Sequence, residues 1–153
     1  MIALIQRVTQ AEVRVADAVI GRIDRGILAL IGVQRADDEA TGLRLLERLL
    51  TYRIFPDTED KMNLSLRDVG GGLLLVPQFT LAADTRKGTR PGFSTAAAPE
   101  EARRLFEGLL SVARREYQPV AGGLFGAQMQ IALVNDGPVT FWLTAPPPVP
   151  LGA

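Results

Sequence analysis

The chain has 153 residues, of which 47% are hydrophobic and 22% charged, and this balance is typical of one folded domain. Lys plus Arg and Asp plus Glu both total 17, so the overall charge does not by itself indicate a nucleic-acid partner. The lack of His and Cys excludes disulfides, thiol nucleophiles, imidazole bases and the commonest transition-metal sites. We therefore expect neither a metal nor another cofactor.

The first ten residues lack the basic segment and apolar run of a secretory signal. No apolar run reaches the roughly 20 residues that cross a bilayer. These two observations predict a soluble, cytoplasmic protein without membrane contact.

The first third of the chain is predicted to be mostly sheet. Short β-like runs cover residues 2–8, 12–16 and 19–23, and the longer apolar run at 26–33 is typical of a fully buried strand. Leucines at a helical spacing then predict a helix over residues 38–53.

The middle of the chain contains a second buried strand and a long loop. Residues 56–60 are predicted as loop, 61–68 give no clear assignment, and three glycines turn the chain into a strand at 73–76. Residues 82–98 form a loop whose length favours a functional role.

A second helix is predicted from Pro99 to about Tyr117, because a proline and two acids suit the start of a helix. Strands follow at 128–134 and 139–143, joined by the turn-like stretch NDGPVT. Neither internal repeats nor a second domain is visible.

The stretch PQFTL contains the first candidate site, at the end of the strand at 73–76. The N–H groups of Phe79 and Thr80 could stabilise an oxyanion, with the Thr80 hydroxyl near a bound carbonyl. An ordinary strand end is the alternative. A threonine nucleophile is disfavoured because no His is present to act as its base.

Two further stretches each allow a functional and an ordinary interpretation. Arg86, Lys87 and Arg90 lie in a glycine-containing loop that could bind phosphates or could be a solvated basic surface. Phe125 and Met129 could enclose a flat ring, or they could belong to a glycine-rich turn before a strand.

The Gly137–Pro138 pair is, from the dipeptide alone, an ordinary trans turn, because only about 5% of X–Pro bonds in folded proteins are cis. A cis bond would direct two carbonyl groups the same way and create a rigid wall without a mobile side chain. Such a wall would suit stereochemical exclusion.

Together these stretches resemble the D-aminoacyl-tRNA deacylase family along residues 1–144. Five motifs occur in the family's order: IQRVTQAEVRV, RIFPDTEDKMNLSLRDVGG, PQFTLAADTRKGTRPGF, FGAQM and NDGPVT. The resemblance implies a single-domain α/β fold with a β-barrel-like mixed sheet, two main helices and a homodimeric assembly. Residues 145–153, with four prolines, are expected to form an extended, poorly ordered tail.

The resemblance also implies an activity, hydrolysis of the ester that joins a D-amino acid to the terminal adenosine of tRNA, and of some glycine mischarged on tRNA. The aminoacylated 3′ end of tRNA would be the partner. The 2′-hydroxyl of the terminal ribose would assist the reaction, which agrees with a chain that lacks His and Cys.

The family's motifs assign roles by position. Gly137–Pro138 would be cis and would enter the partner subunit's active site to exclude L-amino acids. Gln78, Phe79 and Thr80 match the family's Ser-Gln-Phe-Thr signature, but Pro77 replaces its serine and has neither a hydroxyl nor an N–H.

Three binding residues are also implied by the resemblance. Phe125 and Met129 would contact the adenine, and Arg7 would help to hold the partner's Gly-Pro segment.

Two alternative functions remain open. One is a non-catalytic, dimeric module that binds tRNA ends or nucleotides, with Pro77 as the sign of lost catalysis. The other is an editing enzyme of altered stereochemistry, which would follow from a trans Gly137–Pro138 bond.

Overall fold

The central strand of the sheet, β1, pairs with three other strands in the computed structural model, which describes residues 1–146. Eight strands are formed in this part of the chain: β1 (Ile2–Val15), β2 (Ala18–Ile23), β3 (Gly26–Gly32), β4 (Phe55–Pro56), β5 (Met62–Leu64), β6 (Gly72–Pro77), β7 (Val120–Gly122) and β8 (Gln130–Thr144). β2, β3 and β8 are antiparallel to β1, whereas β6 is parallel to β3 and β7 is parallel to β6.

The sheet curls until its two far strands, β2 and β7, nearly touch. A Cβ on Gly21 of β2 would lie only 2.9 Å from the carbonyl oxygen of Gly122 in β7. The backbones can approach this closely because glycine has no side chain. The predicted mixed sheet of barrel-like form is therefore confirmed as a nearly closed barrel.

A bulge in β1 allows one strand to serve two cores. Val8 pairs with Asn135 and Gln10 with Val134, so β1 carries one extra residue between these pairs. Because the extra residue exchanges the two faces of the strand, Val8 before it and Ala11 after it both point into the barrel. The two strands predicted at 2–8 and 12–16 are thus one continuous strand.

Three helices accompany the sheet: α1 (Glu39–Thr51), α2 (Leu66–Val69) and α3 (Pro99–Glu116). α1 begins at a capping box in which the Asp38 carboxylate accepts the N–H of Thr41 at 2.7 Å. The leucines of α1 and α3 pack with β1, β3 and β6 in the larger core. Both main helices are confirmed, and no helix in residues 1–146 is long and apolar enough to cross a membrane.

The structure differs from the prediction in several short elements and one long one. β4 and β7 were not predicted, β5 lies within the unassigned residues 61–68, and α2 begins there and ends at Val69. The two predicted final strands and the turn between them form a single strand, β8. This merging occurs because β1 pairs with residues on both sides of the Gly-Pro segment, from Gln130 to Thr144.

The end of the described chain is fixed against its beginning. Ala145, which the prediction assigned to the tail, is buried, and its N–H donates to the carbonyl oxygen of Met1 at 2.9 Å. The amine of Met1 forms a buried ion pair with Asp37. Residues 147–153, the rest of the predicted tail, lie outside the described residues.

Candidate active site

A cleft of about 440 Å³ lies where the end of β6, the segment before β8 and the start of α3 meet. It is lined by Gln78 and Phe79 from the first of these segments and by Phe125 and Met129 from the second. Residues at strand ends that continue into loops are often functional. Two motifs that are distant in sequence therefore line one cleft.

Gly123 permits the two motifs to approach each other. A Cβ at this position would lie 3.0 Å from Sδ of Met129 and 3.1 Å from Cδ of Pro77. A side chain would therefore push one of these groups out of place. The N–H of Leu124 also donates to Sδ of Met129 at 3.4 Å, which helps to fix this thioether in the cleft wall.

Phe125 is held in the cleft wall by two contacts from α3. Its ring centroid lies 6.5 Å from that of Phe106, and the guanidinium of Arg103 lies 5.1 Å from the Phe125 centroid. Arg103 was not identified from the sequence, because its position is that of an ordinary exposed residue on a helix. Its positive charge beside the cleft is partly compensated by the Glu107 carboxylate, 3.7 Å away.

Two backbone donors lie directly after β6, where the chain enters a 3₁₀ turn, Phe79–Ala82. The first N–H groups of such a turn have no acceptor within it. Leu81 is the first residue of the turn to donate, to the carbonyl oxygen of Gln78 at 3.3 Å. The N–H groups of Phe79 and Thr80 have no acceptor within residues 1–146, so they remain available to a bound oxyanion.

The hydroxyl of Thr80 accepts a hydrogen bond from the side-chain amide of Gln78. An amide is a donor here and cannot remove a proton from the hydroxyl. This geometry agrees with the expectation that Thr80 is not an activated nucleophile. The arrangement instead holds the hydroxyl at the exposed surface next to the two free N–H groups.

Pro77, the residue that departs from the family signature, removes no hydrogen bond that the sheet requires. The N–H of Gln78 donates to Ile31 of β3 at 2.7 Å, so position 77 faces the opposite neighbour, β7. The pairing of β6 with β7 ends at Leu75 and Gly122, two residues before this position. Proline therefore lies where β6 no longer needs a donor on that side.

The Gly137–Pro138 peptide bond is cis, as the resemblance implies. The pair is exposed in a bulge of β8, where residues 136–139 face only Arg7 in the ladder with β1. Asn135 closes the bulge, because its side chain accepts the N–H of Val139 at 3.1 Å and donates to the Thr140 hydroxyl at 2.9 Å. Asn135 was not predicted as a site residue.

Arg7 supports the Gly-Pro segment of its own chain. Its side chain is largely buried and donates to the carbonyl oxygens of Asp136, at 3.2 Å, and Ile54, at 2.8 Å. It also lies 3.2 Å from the Asp136 carboxylate. Neither Arg7 nor the Gly137–Pro138 pair lines the cleft that contains Gln78 and Phe125.

Arg86, Lys87 and Arg90 lie in a loop that we call the basic loop. This loop forms a surface separate from the cleft. Asp84 and Gly92 close it through two backbone hydrogen bonds of 2.7 and 2.9 Å. The Arg86 guanidinium donates two hydrogen bonds to the Asp84 carboxylate, at 2.9 and 2.7 Å, and these hold the pKa of that carboxyl well below its usual range. Lys87 and Arg90 form no ion pair with a residue of the described chain.

The family model described as D-Tyr-tRNA(Tyr) deacylase matches residues 4–144 of the chain. The chain belongs to the D-aminoacyl-tRNA deacylase family, whose members are hydrolases. It is 64% identical over 148 residues to the D-aminoacyl-tRNA deacylase of Thioalkalivibrio sulfidiphilus, covering 97% of this chain and 99% of that one. It is 63% identical over 147 residues to that of Alkalilimnicola ehrlichii, covering 96% and 98%.

Two solved structures have a similar fold. A structure titled c-Myc DNA Unwinding Element Binding Protein superposes with a TM-score of 0.90 at 37% identity, over 95% of this chain and 99% of that one. A probable eukaryotic D-amino acid tRNA deacylase superposes with a TM-score of 0.79 over 93% and 97% of the two chains. At 17% identity, the second comparison supports the fold alone.

Proposed function

We propose that the chain hydrolyses the ester bond of D-aminoacyl-tRNA and releases a free D-amino acid and tRNA. The observation that carries this proposal is the cleft that Phe79, Phe125 and Met129 line, because the N–H groups of Phe79 and of the following residue, Thr80, are unbonded. The family of the chain supports the same reaction.

The terminal adenosine would bind in this cleft. Phe125 offers a ring and Met129 a polarisable thioether, and both groups suit contact with a flat purine. The fixed positions of both side chains favour binding, because little conformational freedom remains to be lost.

Catalysis would rest on positioning and electrostatics. The oxygen of a water molecule would bond to the ester carbonyl carbon, and the bond from that carbon to the ribose oxygen would break. The N–H groups of Phe79 and Thr80 would stabilise the negative charge on the carbonyl oxygen. The departing ribose oxygen would take up a proton that the attacking water loses, and the 2′-hydroxyl of the ribose would assist the reaction.

Chiral selection would come from a second copy of the chain in a homodimer. The exposed Gly137–Pro138 segment lies outside the cleft of its own chain, so it is free to enter the cleft of a partner. Arg7 and Asn135 hold the segment firmly enough to act as a wall. An L side chain would collide with this wall, whereas a D side chain would point away from it.

The free-energy difference needed to discriminate L- from D-substrates explains the use of a rigid wall. Protecting L-aminoacyl-tRNA by about 10⁴-fold requires about 5.5 kcal/mol of discrimination. A collision with backbone can supply this without contacts to particular side chains. Glycine, which has no side chain to exclude, would be hydrolysed as well.

Phosphates of the tRNA would bind at the basic loop. Lys87 and Arg90 carry the available charge, whereas Arg86 is partly compensated by Asp84. Such contacts would position the acceptor end without reading its sequence.

The test is single-turnover deacylation of paired D-Tyr-tRNA and L-Tyr-tRNA. We expect rapid loss of the D-ester and slow loss of the L-ester. Loss of neither ester would favour the alternative, a non-catalytic module that binds tRNA ends. A Pro77→Ser variant that gained activity in the same assay would then support that alternative.

A further inference from the structure

A second depression, of about 660 Å³, adjoins the active-site cleft. Phe79, Ala97 and Pro99 line both spaces, so the two depressions are contiguous. Phe93 and Arg35 line only the second one. A molecule that extends beyond the cleft past Phe79 would enter this space.

Two exposed aromatic rings form the surface of this second depression. The rings of Phe79 and Phe93 lie 5.2 Å apart, and the two residues are 56% and 42% exposed. Large apolar side chains exposed together frequently mark a binding surface. Because neither ring is used to build the hydrophobic core, both remain available to a ligand.

Hydrogen bonds on both sides of Phe93 fix its backbone. The residue before it, Gly92, exchanges two hydrogen bonds with Asp84, and the carbonyl oxygen of Phe93 itself accepts the N–H of Ala96 at 3.1 Å. A side chain on a fixed backbone loses less freedom when it binds a ligand than one on a mobile loop does.

The charges around the depression favour an anion. Arg35 is exposed and forms no ion pair within the described residues. Glu101, the acid that lines the same space, is paired with Arg104 at 2.7 Å, and this pairing lowers the pKa of its carboxyl. The negative charge is thus compensated, while the charge of Arg35 is not.

We propose that this depression is a subsite for the nucleotide that precedes the terminal adenosine. The inference rests on the proposed function, in which the adenosine occupies the adjoining cleft. The base stacks on Phe93 and Phe79, and the phosphate linking the two nucleotides lies near Arg35. Successive nucleotides then occupy the two contiguous spaces on either side of Phe79.

The chemistry of the lining predicts how this subsite selects its ligand. Apart from Arg35 and Glu101, the lining consists of phenylalanine, alanine and proline, which cannot read base edges by side-chain hydrogen bonds. Stacking on aromatic rings tolerates any base. The subsite therefore selects for the presence of a second nucleotide and not for its identity.

The test compares the binding of cytidylyl-adenosine with that of adenosine, neither of them acylated, by NMR titration at up to millimolar concentrations. The wild type should bind the dinucleotide more tightly. Phe93→Leu keeps an apolar side chain without a stacking ring and should lower the dinucleotide-to-adenosine affinity ratio about tenfold. Phe93→Tyr keeps the ring and should preserve the ratio.

Equal affinity of the wild type for both ligands, undetectable binding of the dinucleotide, or an unchanged ratio in Phe93→Leu would overturn the subsite. This outcome is separate from the test of the proposed function, because binding is measured without turnover. A wild-type protein that prefers the dinucleotide yet deacylates neither ester would keep the subsite and reject the hydrolysis.

Discussion

Gly137 has a φ of +132°, which side chains rarely permit, and little space around it. A Cβ here would lie 2.6 Å from Cγ2 of Val139 and 3.3 Å from a guanidinium nitrogen of Arg7. We expect Gly137→Ala to displace the wall and to lower the ratio of D- to L-Tyr-tRNA deacylation rates by at least about tenfold, or about 1.4 kcal/mol. Paired single-turnover assays measure this ratio.

Gly70→Ala is the matched control for this substitution. Gly70 also has a positive φ, of 64°, but a Cβ there would meet nothing within 4 Å. The control therefore introduces backbone strain without crowding the Gly-Pro segment, and it should preserve the ratio. If folded Gly137→Ala protein kept the wild-type ratio, the segment would not act as the wall.

At the scale of elements, the loop that carries Lys87 and Arg90 differs from a merely solvated loop in one measurable property, the salt dependence of tRNA binding. Each phosphate contact that is lost reduces the slope of log K against log salt by about 0.7 to 0.9. We expect a Lys87→Gln, Arg90→Gln double variant to bind tRNA more weakly and with a slope reduced by about 1 to 2. Filter binding at several salt concentrations measures both quantities.

Arg86→Gln provides the comparison within the same loop. Because Arg86 is already paired with Asp84, its removal should change the slope less than the double variant does. Unchanged affinity and slope after neutralising Arg86, Lys87 and Arg90 together would reject contact between this loop and tRNA phosphates.

Elements with a local sequence pattern could be predicted, whereas elements that depend on pairing with distant strands could not. The leucine period of α1 and the proline at the start of α3 are local, so both helices were predicted. β7 has three residues and owes its structure to pairing with β6, which no local pattern reveals. β8 was divided in two because the Gly-Pro signal favours a turn, whereas pairing with β1 continues past it.

The candidate site was predictable to the extent that its residues lie in motifs. Gln78, Phe79, Phe125 and Met129 were identified from the sequence, and the fold brings these four to one cleft. Arg103 and Phe93 were missed, because only the tertiary packing of α3 and of the loop at 82–98 places them beside the cleft.

If the molecule is the proposed dimer, we expect each subunit to supply the selectivity for D- over L-aminoacyl-tRNA to the cleft of the other. Subunits with Phe125→Ala and Met129→Ala should have a defective cleft but an intact Gly137–Pro138 segment. An excess of these subunits, refolded together with Gly137→Ala subunits, should restore D-selectivity to the intact clefts. Unrestored selectivity in verified mixed dimers would mean that each chain uses its own segment.

The charges of the molecule predict how its stability depends on pH. Hydrogen bonds lower the pKa of Asp38, Asp57, Asp68, Asp84 and Glu101 in the folded chain. A lowered carboxyl pKa stabilises the fold above the unfolded value, near 4, and this stabilisation is lost as the pH falls through the folded value. With no His to titrate, the free energy of unfolding should stay level between about pH 5 and 7 and decline below about pH 4.

Urea denaturation across this pH range measures the effect. A marked change in the free energy of unfolding between pH 5 and 7 would contradict the assignment, because no side chain with a lowered pKa titrates there.

The pairing of β1 with β8 also has a consequence for the order in which the protein can be built. β1 leaves the ribosome well before β8, and residues up to Thr144 must follow before its second edge is covered. Until then the nascent chain presents an open strand edge over most of its length. Folding of the barrel must therefore await the synthesis of β8, and the chain that still lacks this strand is the form most exposed to aggregation.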